Sequence, residues 1–146
     1  RRESELNPEA VSPAGARGLM QVMPATAQQV AKEIGIDYSK SRLSDDWRYN
    51  AQLGTAYLAS MLERYNGSYI LAFAAYNAGP HRADRWIEEY GDPRDTDIDQ
   101  IDWIEHIPFR ETRNYVMRVS EALFVYRMRL SGTAKPLRLS KDLVGG

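Results

Sequence analysis

The stretch Leu71-Ala72-Phe73-Ala74-Ala75 is apolar on every face, with Ser68 before it and Gly79-Pro80 after it. A helix without a polar side has no surface to offer water, so it must lie at a centre of packing and be covered by neighbours. The remaining sequence supplies helices to cover it. Ser68 is a helix N-cap residue type, and Gly79-Pro80 breaks the helix and starts the next one.

On either side the pattern is helix after helix, separated by Gly, Pro and Asx punctuation. Pro24-Ala25-Thr26-Ala27 begins a helix with proline in its favoured N-terminal position, and Gly35 is placed to end it. Asp45 or Asp46 can cap a long helix whose apolar residues Leu53, Tyr57, Met61 and Tyr65 recur every fourth position, with Gly67 as the stop. A short amphipathic helix containing Trp86 and Ile87 ends at Gly91, an acidic turn follows over 92–99, and Ile101, Ile104 and Glu105 lead to Pro108. The last long helix carries Val116, Val119, Leu123, Tyr126 and Leu130 at the three-four spacing of a core stripe. Residues 7–18 hold two prolines and two glycines and read as a loop with room for one short β-hairpin. The predicted fold is all-α, with a domain over 1–131 and a flexible tail over 132–146.

Composition narrows the function classes. A chain of 146 residues fits one globular unit and removes roughly two thirds of its unfolded surface from water. With 19 basic and 20 acidic side chains the net charge is −1, so there is no electrostatic footprint for nucleic acid or an anionic membrane. No cysteine is present, hence no disulfide framework, and no apolar run approaches the ~20 residues of a transmembrane helix. His81 and His106 have no partner at metal-ligand spacing, and Asp95-Thr96-Asp97-Ile98-Asp99 lacks the glycine and glutamate of a calcium loop, having Gln100 and His106 there. No metal and no cofactor are expected.

Four motifs remain. Glu3-Ser4-Glu5-Leu6-Asn7-Pro8 is followed by Ser12-Pro13-Ala14-Gly15-Ala16-Arg17-Gly18-Leu19-Met20-Gln21-Val22-Met23-Pro24, then by Ala75-Tyr76-Asn77-Ala78-Gly79, and last by Ile107-Pro108-Phe109-Arg110-Glu111-Thr112-Arg113-Asn114-Tyr115-Val116. In order and approximate separation this set resembles the soluble lytic transglycosylases, lysozyme-like enzymes that cleave the glycan strands of bacterial peptidoglycan. The match runs from residue 1 to about residue 120.

The resemblance implies a lysozyme-like all-α domain in which Glu3 stands where the family has its single catalytic acid. Taken as a bare residue, a glutamate at a helix end is usually a solvated carboxylate. In the family the one glutamate acts as acid and then as base, and the sugar's own 6-hydroxyl attacks the anomeric carbon. The product is a 1,6-anhydromuramyl end, formed by cutting the β-1,4 bond between N-acetylmuramic acid and N-acetylglucosamine. A retaining hydrolase would instead place a second carboxylate ~5 Å away; the nearby Glu5 and Glu9 read as solvated helix-end or loop residues.

The resemblance further implies substrate contacts for Ser12, Gln21, Met23, Tyr76, Asn77 and Glu111. The first five have a plainer reading each: a turn serine, a helix-start amide, core methionine and tyrosine and a loop-holding asparagine; Glu111 is implied as a cleft residue that orders the site. Thr112 and Arg113 are expected to anchor Glu111 and the last helix. Two alternatives stand beside this reading. A goose-type lysozyme would hydrolyse, and the Ile107 to Val116 motif argues against it; a catalytically inactive peptidoglycan-binding module is opposed by the intact Glu3 and Tyr76. The partner implied is the peptidoglycan glycan strand, and the location implied is the periplasm or cell envelope. Arg1-Arg2-Glu3 shows no signal peptide and reads as a cut within a longer precursor with upstream domains, so the missing signal carries no information about export.

Overall fold

A computed structural model of the chain describes residues 7–132. Glu3 and the tail expected beyond Gly132 lie outside the described residues. The described residues form seven α-helices: α1 (Pro24–Ile34), α2 (Arg42–Asp45), α3 (Trp47–Arg64), α4 (Tyr69–Ala78), α5 (Pro80–Tyr90), α6 (Gln100–His106) and α7 (Arg110–Ser131). No helix among them is long and apolar enough to cross a membrane. In place of the hairpin expected over 7–18 there are two single antiparallel bridges, Val11 to Arg17 and Arg17 to Val22. The glycines and prolines of this loop turn the chain too often for a ladder to extend.

Helix boundaries follow the local chemistry. Pro24 opens α1, and Gly35 closes it in the left-handed conformation at φ 76°. Asp46 heads α3, its Oδ1 accepting the N–H groups of Arg48 and Tyr49 at 3.1 and 3.2 Å. Asp45 instead ends the one-turn helix α2, too short for a hydrophobic period to announce it. The Ser68 side chain accepts the Leu71 N–H at the start of α4, and Asp99 does the same for Asp102 at the start of α6.

The chain divides between Ala59 and Ser60 into two compact units. In the first, Val22, Ala27, Val30, Ala31, Leu43, Tyr49 and Leu53 make one buried cluster, against which Met20 and Tyr57 pack. In the second, α4 is the hub, packing on α5 and α7, while α6 packs on α7. Ile70 through Ala75 are all buried, as an all-round apolar helix requires. Trp86, Trp103, Ile104, Ile107 and Val116 are buried in the same unit. The predicted stripe of α7 holds only in its first half. Val116 is buried, Val119 and Leu123 are half-buried, but Tyr126 and Leu130 are 62% and 70% exposed.

One polar junction ties the end of α3 to α5 within the second unit. The Tyr65 hydroxyl donates to Asp84 Oδ1 at 2.8 Å, and Arg64 pairs with Asp84 Oδ2 at 2.7 Å. Burial pushes the Tyr65 phenol up, and the hydrogen bond to the Asp84 carboxylate adds to it.

Candidate active site

The first-unit residues of the candidate site lie on one loop between Asn7 and Met23, and that loop is held from within. Asn7 Oδ1 accepts the Glu9 N–H at 3.0 Å, turning the chain at Pro8. Ser12 Oγ accepts the Ala16 N–H at 3.0 Å, while the Ser12 N–H donates to the Ala16 carbonyl at 2.9 Å. Ser12 therefore closes a turn. Gln21 has φ 50°, a left-handed conformation uncommon for a residue with a Cβ. Its amide stabilises that turn, Nε2 donating to the carbonyls of Gly18 (2.8 Å) and Ala10 (3.2 Å). Met23 precedes α1 as its N-cap and is 41% exposed; its side chain is open to a ligand, as the groove reading requires. Met20 faces the other way, packing against the buried cluster.

What fixes this loop to the first unit is Asn50, a fully buried amide on α3. Its Oδ1 accepts the Met20 N–H at 2.8 Å, and its Nδ2 donates to the carbonyls of Arg17 (2.8 Å) and Leu43 (3.1 Å). One side chain thus bonds two backbone groups of the loop and one of α2, as a buried amide must to satisfy its own polar atoms. Gly18 passes directly against it. A Cβ there would overlap the Leu43 carbonyl oxygen and Asn50 Nδ2, and φ is +74°. Both space and conformation demand glycine at this position. The sequence reading proposed Gly18 as a loop glycine and overlooked Asn50. The available signal was an amide three residues before Leu53, on the helix that carries the core period.

The second-unit residues gather where α4 ends and α7 begins. Tyr76 is half-buried and Asn77 exposed on the last turn of α4, and Gly79, at φ 93°, turns the chain into α5. The Tyr76 ring stacks on Tyr115 with centroids 6.4 Å apart and planes at 11°. The Thr112 hydroxyl donates to Asn77 Oδ1 at 2.7 Å. Two adjacent residues of α4 are thus paired with two residues one turn apart on α7. Burial pushes the Tyr115 phenol up to about 12, with Arg118 acting in the opposite sense. Glu111 lies exposed in the first turn of α7, where the helix dipole favours a carboxylate. Arg113 binds the carbonyl of Ile107 at 2.9 Å, fixing the start of α7 as expected of it, though Glu111 is not its partner. Tyr115 was quoted in the fourth motif and not singled out; its spacing of four from Glu111 placed it one turn along the same helix.

Ser12, Gln21 and Met23 accordingly share one loop of the first unit, and Tyr76, Asn77 and Glu111 share one helix junction of the second. Glu9, one of the two nearby carboxylates, is exposed.

Comparison with known proteins identifies the class. The family model "Transglycosylase SLT domain" matches residues 1–98, and this chain belongs to that family. It is 41% identical over 120 residues to the soluble lytic murein transglycosylase of Escherichia coli, covering 82% of this chain and 18% of that protein. The crystal structure of the 70 kDa soluble lytic transglycosylase from Escherichia coli superposes with a TM-score of 0.71 at 40% identity, over 82% of this chain and 19% of that one. A structure of the lytic transglycosylase Slt from Pseudomonas aeruginosa, an inactive mutant with glutamine in place of one glutamate, gives 0.73 at 36% identity over 94% of this chain and 21% of that one. The fold is therefore the lysozyme-like transglycosylase fold, all-α as the sequence implied. The chain spans about a fifth of the length of these relatives.

Proposed function

We propose that the protein carrying this chain is a peptidoglycan lytic transglycosylase, cutting the β-1,4 bond between N-acetylmuramic acid and N-acetylglucosamine and leaving 1,6-anhydromuramyl ends. The observation that carries this reading is the family match over residues 1–98 together with 41% identity to a soluble lytic murein transglycosylase. Residues 1–131 are its catalytic domain, with Glu3 as acid and then base.

The chemistry asks for a proton delivered to a poor leaving oxygen and for stabilisation of an oxocarbenium-like state. Glu3 supplies the proton and, once ionised, takes one from the 6-hydroxyl as that oxygen attacks the anomeric carbon. The bond to the leaving sugar breaks as the anhydro bond forms, and no water is consumed. A glutamate does this near neutral pH only if desolvation holds it protonated. In support, a related transglycosylase is inactive with one glutamate changed to glutamine. Ser12, Gln21, Met23, Tyr76, Asn77 and Glu111 are proposed to bind the glycan: Met23 and Tyr76 through apolar and ring surface, and Asn77 and Glu111 through polar groups. Since peptidoglycan lies outside the cytoplasmic membrane, the enzyme acts in the periplasm or cell envelope. Incubation with purified sacculi and mass analysis of the released muropeptides tests the reading. Anhydro products are expected; reducing muramyl ends would assign a hydrolase of the goose-lysozyme type, and sacculi that are bound and left intact would assign a binding module.

A further inference from the structure

The hydrogen bond between Thr112 and Asn77 determines more than a helix contact. A side-chain amide has two ends of nearly the same shape and opposite polarity, an acceptor oxygen and a donor NH2. Which end faces a ligand depends on what holds the other. Thr112 is buried, 3% exposed, and its hydroxyl donates to Asn77 Oδ1 at 2.7 Å. The acceptor end of the amide is thereby engaged inside the junction. Asn77 itself is exposed, and its Nδ2 makes no hydrogen bond to a described residue. The neighbouring Tyr76 to Tyr115 stack holds the same two helices at the next residue pair, so the amide is fixed in place.

We propose that Thr112 is a positioning residue that holds the Asn77 side chain by its Oδ1, so that Asn77 presents its Nδ2 donor to an acceptor oxygen of the bound amino sugar. The assignment rests on the glycan-binding reading given above. It specifies a donor at position 77, where an amide by itself offers either group. It also predicts that Thr112, which has almost no surface of its own, governs affinity for glycan.

Three variants of the full protein decide the matter. Thr112→Val keeps the shape and removes the lock, Thr112→Ser keeps the hydroxyl, and Asn77→Asp keeps the acceptor for Thr112 while removing the outward donor. Two readouts are needed: Kd for a soluble N-acetylglucosamine oligosaccharide, which requires no turnover, and KM and kcat on sacculi. Loss of one hydrogen bond predicts that Thr112→Val and Asn77→Asp each raise Kd and KM about 3–10-fold, with kcat changed less than about twofold. Thr112→Ser is expected to restore both to within about twofold of the parent. Parent-like Kd in either Thr112→Val or Asn77→Asp overturns the assignment, as does a Thr112→Val that lowers kcat at unchanged KM, or a Thr112→Ser that fails to rescue. Should Thr112→Val not fold, Asn77→Asp carries the test alone. A parent that binds the oligosaccharide without cutting sacculi refutes the proposed reaction and leaves the Kd comparison to judge Asn77; a parent that binds no oligosaccharide refutes both.

Discussion

At the scale of single residues, the proposed chemistry and the loop that accompanies it make separable demands. Glu3→Gln keeps the side-chain shape and deletes the transferable proton, a contribution of roughly 10²–10⁴-fold to rate. Muropeptide release from sacculi should fall by that factor, and Glu111→Gln should reduce it much less; parent-rate cleavage by Glu3→Gln would dismiss Glu3 as the acid. Gly18 and Asn50 affect stability. Gly18→Ala places a methyl into the Leu43 carbonyl and the Asn50 amide at a φ of +74°, and the expected loss is ~3 kcal/mol or more. Asn50→Ala removes the bonds to the Met20 N–H and to the Arg17 and Leu43 carbonyls, of which the Arg17 carbonyl keeps the Val22 N–H, at about 1–3 kcal/mol. Urea denaturation of both variants measures these losses, and unchanged midpoints would show that the loop has another anchor.

At the scale of elements, α7 is two helices in one. Its first half is joined to α4 by Thr112 and Tyr115 and buries Val116, whereas its second half exposes Val125, Tyr126 and Leu130. Val116→Ala, at a fully buried site, should cost about 1–3 kcal/mol, while Leu130→Ser should stay within about 0.5 kcal/mol. Thermal melts of the two variants check the contrast. Tyr115 adds a pH signature. Burial raises its phenol to about 12 from an ordinary value near 10. The folded chain therefore holds this proton more tightly than the unfolded chain does. The associated stabilisation is complete below about pH 10 and is lost as pH rises toward 12, by at most ~3 kcal/mol. Tyr115→Phe keeps the stack on Tyr76 and should lose less stability than the parent between pH 8 and 11; equal losses in the two proteins would mean that the phenol is no harder to ionise in the folded chain than in the unfolded one.

At the scale of the whole molecule, the reaction is decided by which oxygen attacks. In the lyase reading it comes from the sugar, so cleavage in ¹⁸O-labelled water should give 1,6-anhydromuramyl ends without label. A second carboxylate acting as nucleophile or base would deliver solvent oxygen instead. Reducing ends carrying one ¹⁸O as the main product would replace the lyase by a lysozyme. The chain spans about a fifth of its relatives, so the measurement belongs on the full protein that carries it.

By itself the sequence determined the longer helices and the family. Caps and breakers act within a turn of themselves, which is why Ser68, Gly35 and the proline at 24 could be read in place. The all-round apolar Ile70 to Ala75 could only be a hub, and it is buried throughout. Contacts between residues distant in the chain were decided by tertiary structure. Asn50 reaches the loop across 33 residues to Arg17, and Thr112 reaches Asn77 across 35; no periodicity encodes such pairs. Hydrophobic spacing on α7 ran on to Leu130, but burial also needs a neighbour to bury against, and none of the described residues covers that end enough to bury Tyr126 or Leu130. Spacing is a property of one helix, whereas burial and the hydrogen bond that holds an amide belong to two elements packed together.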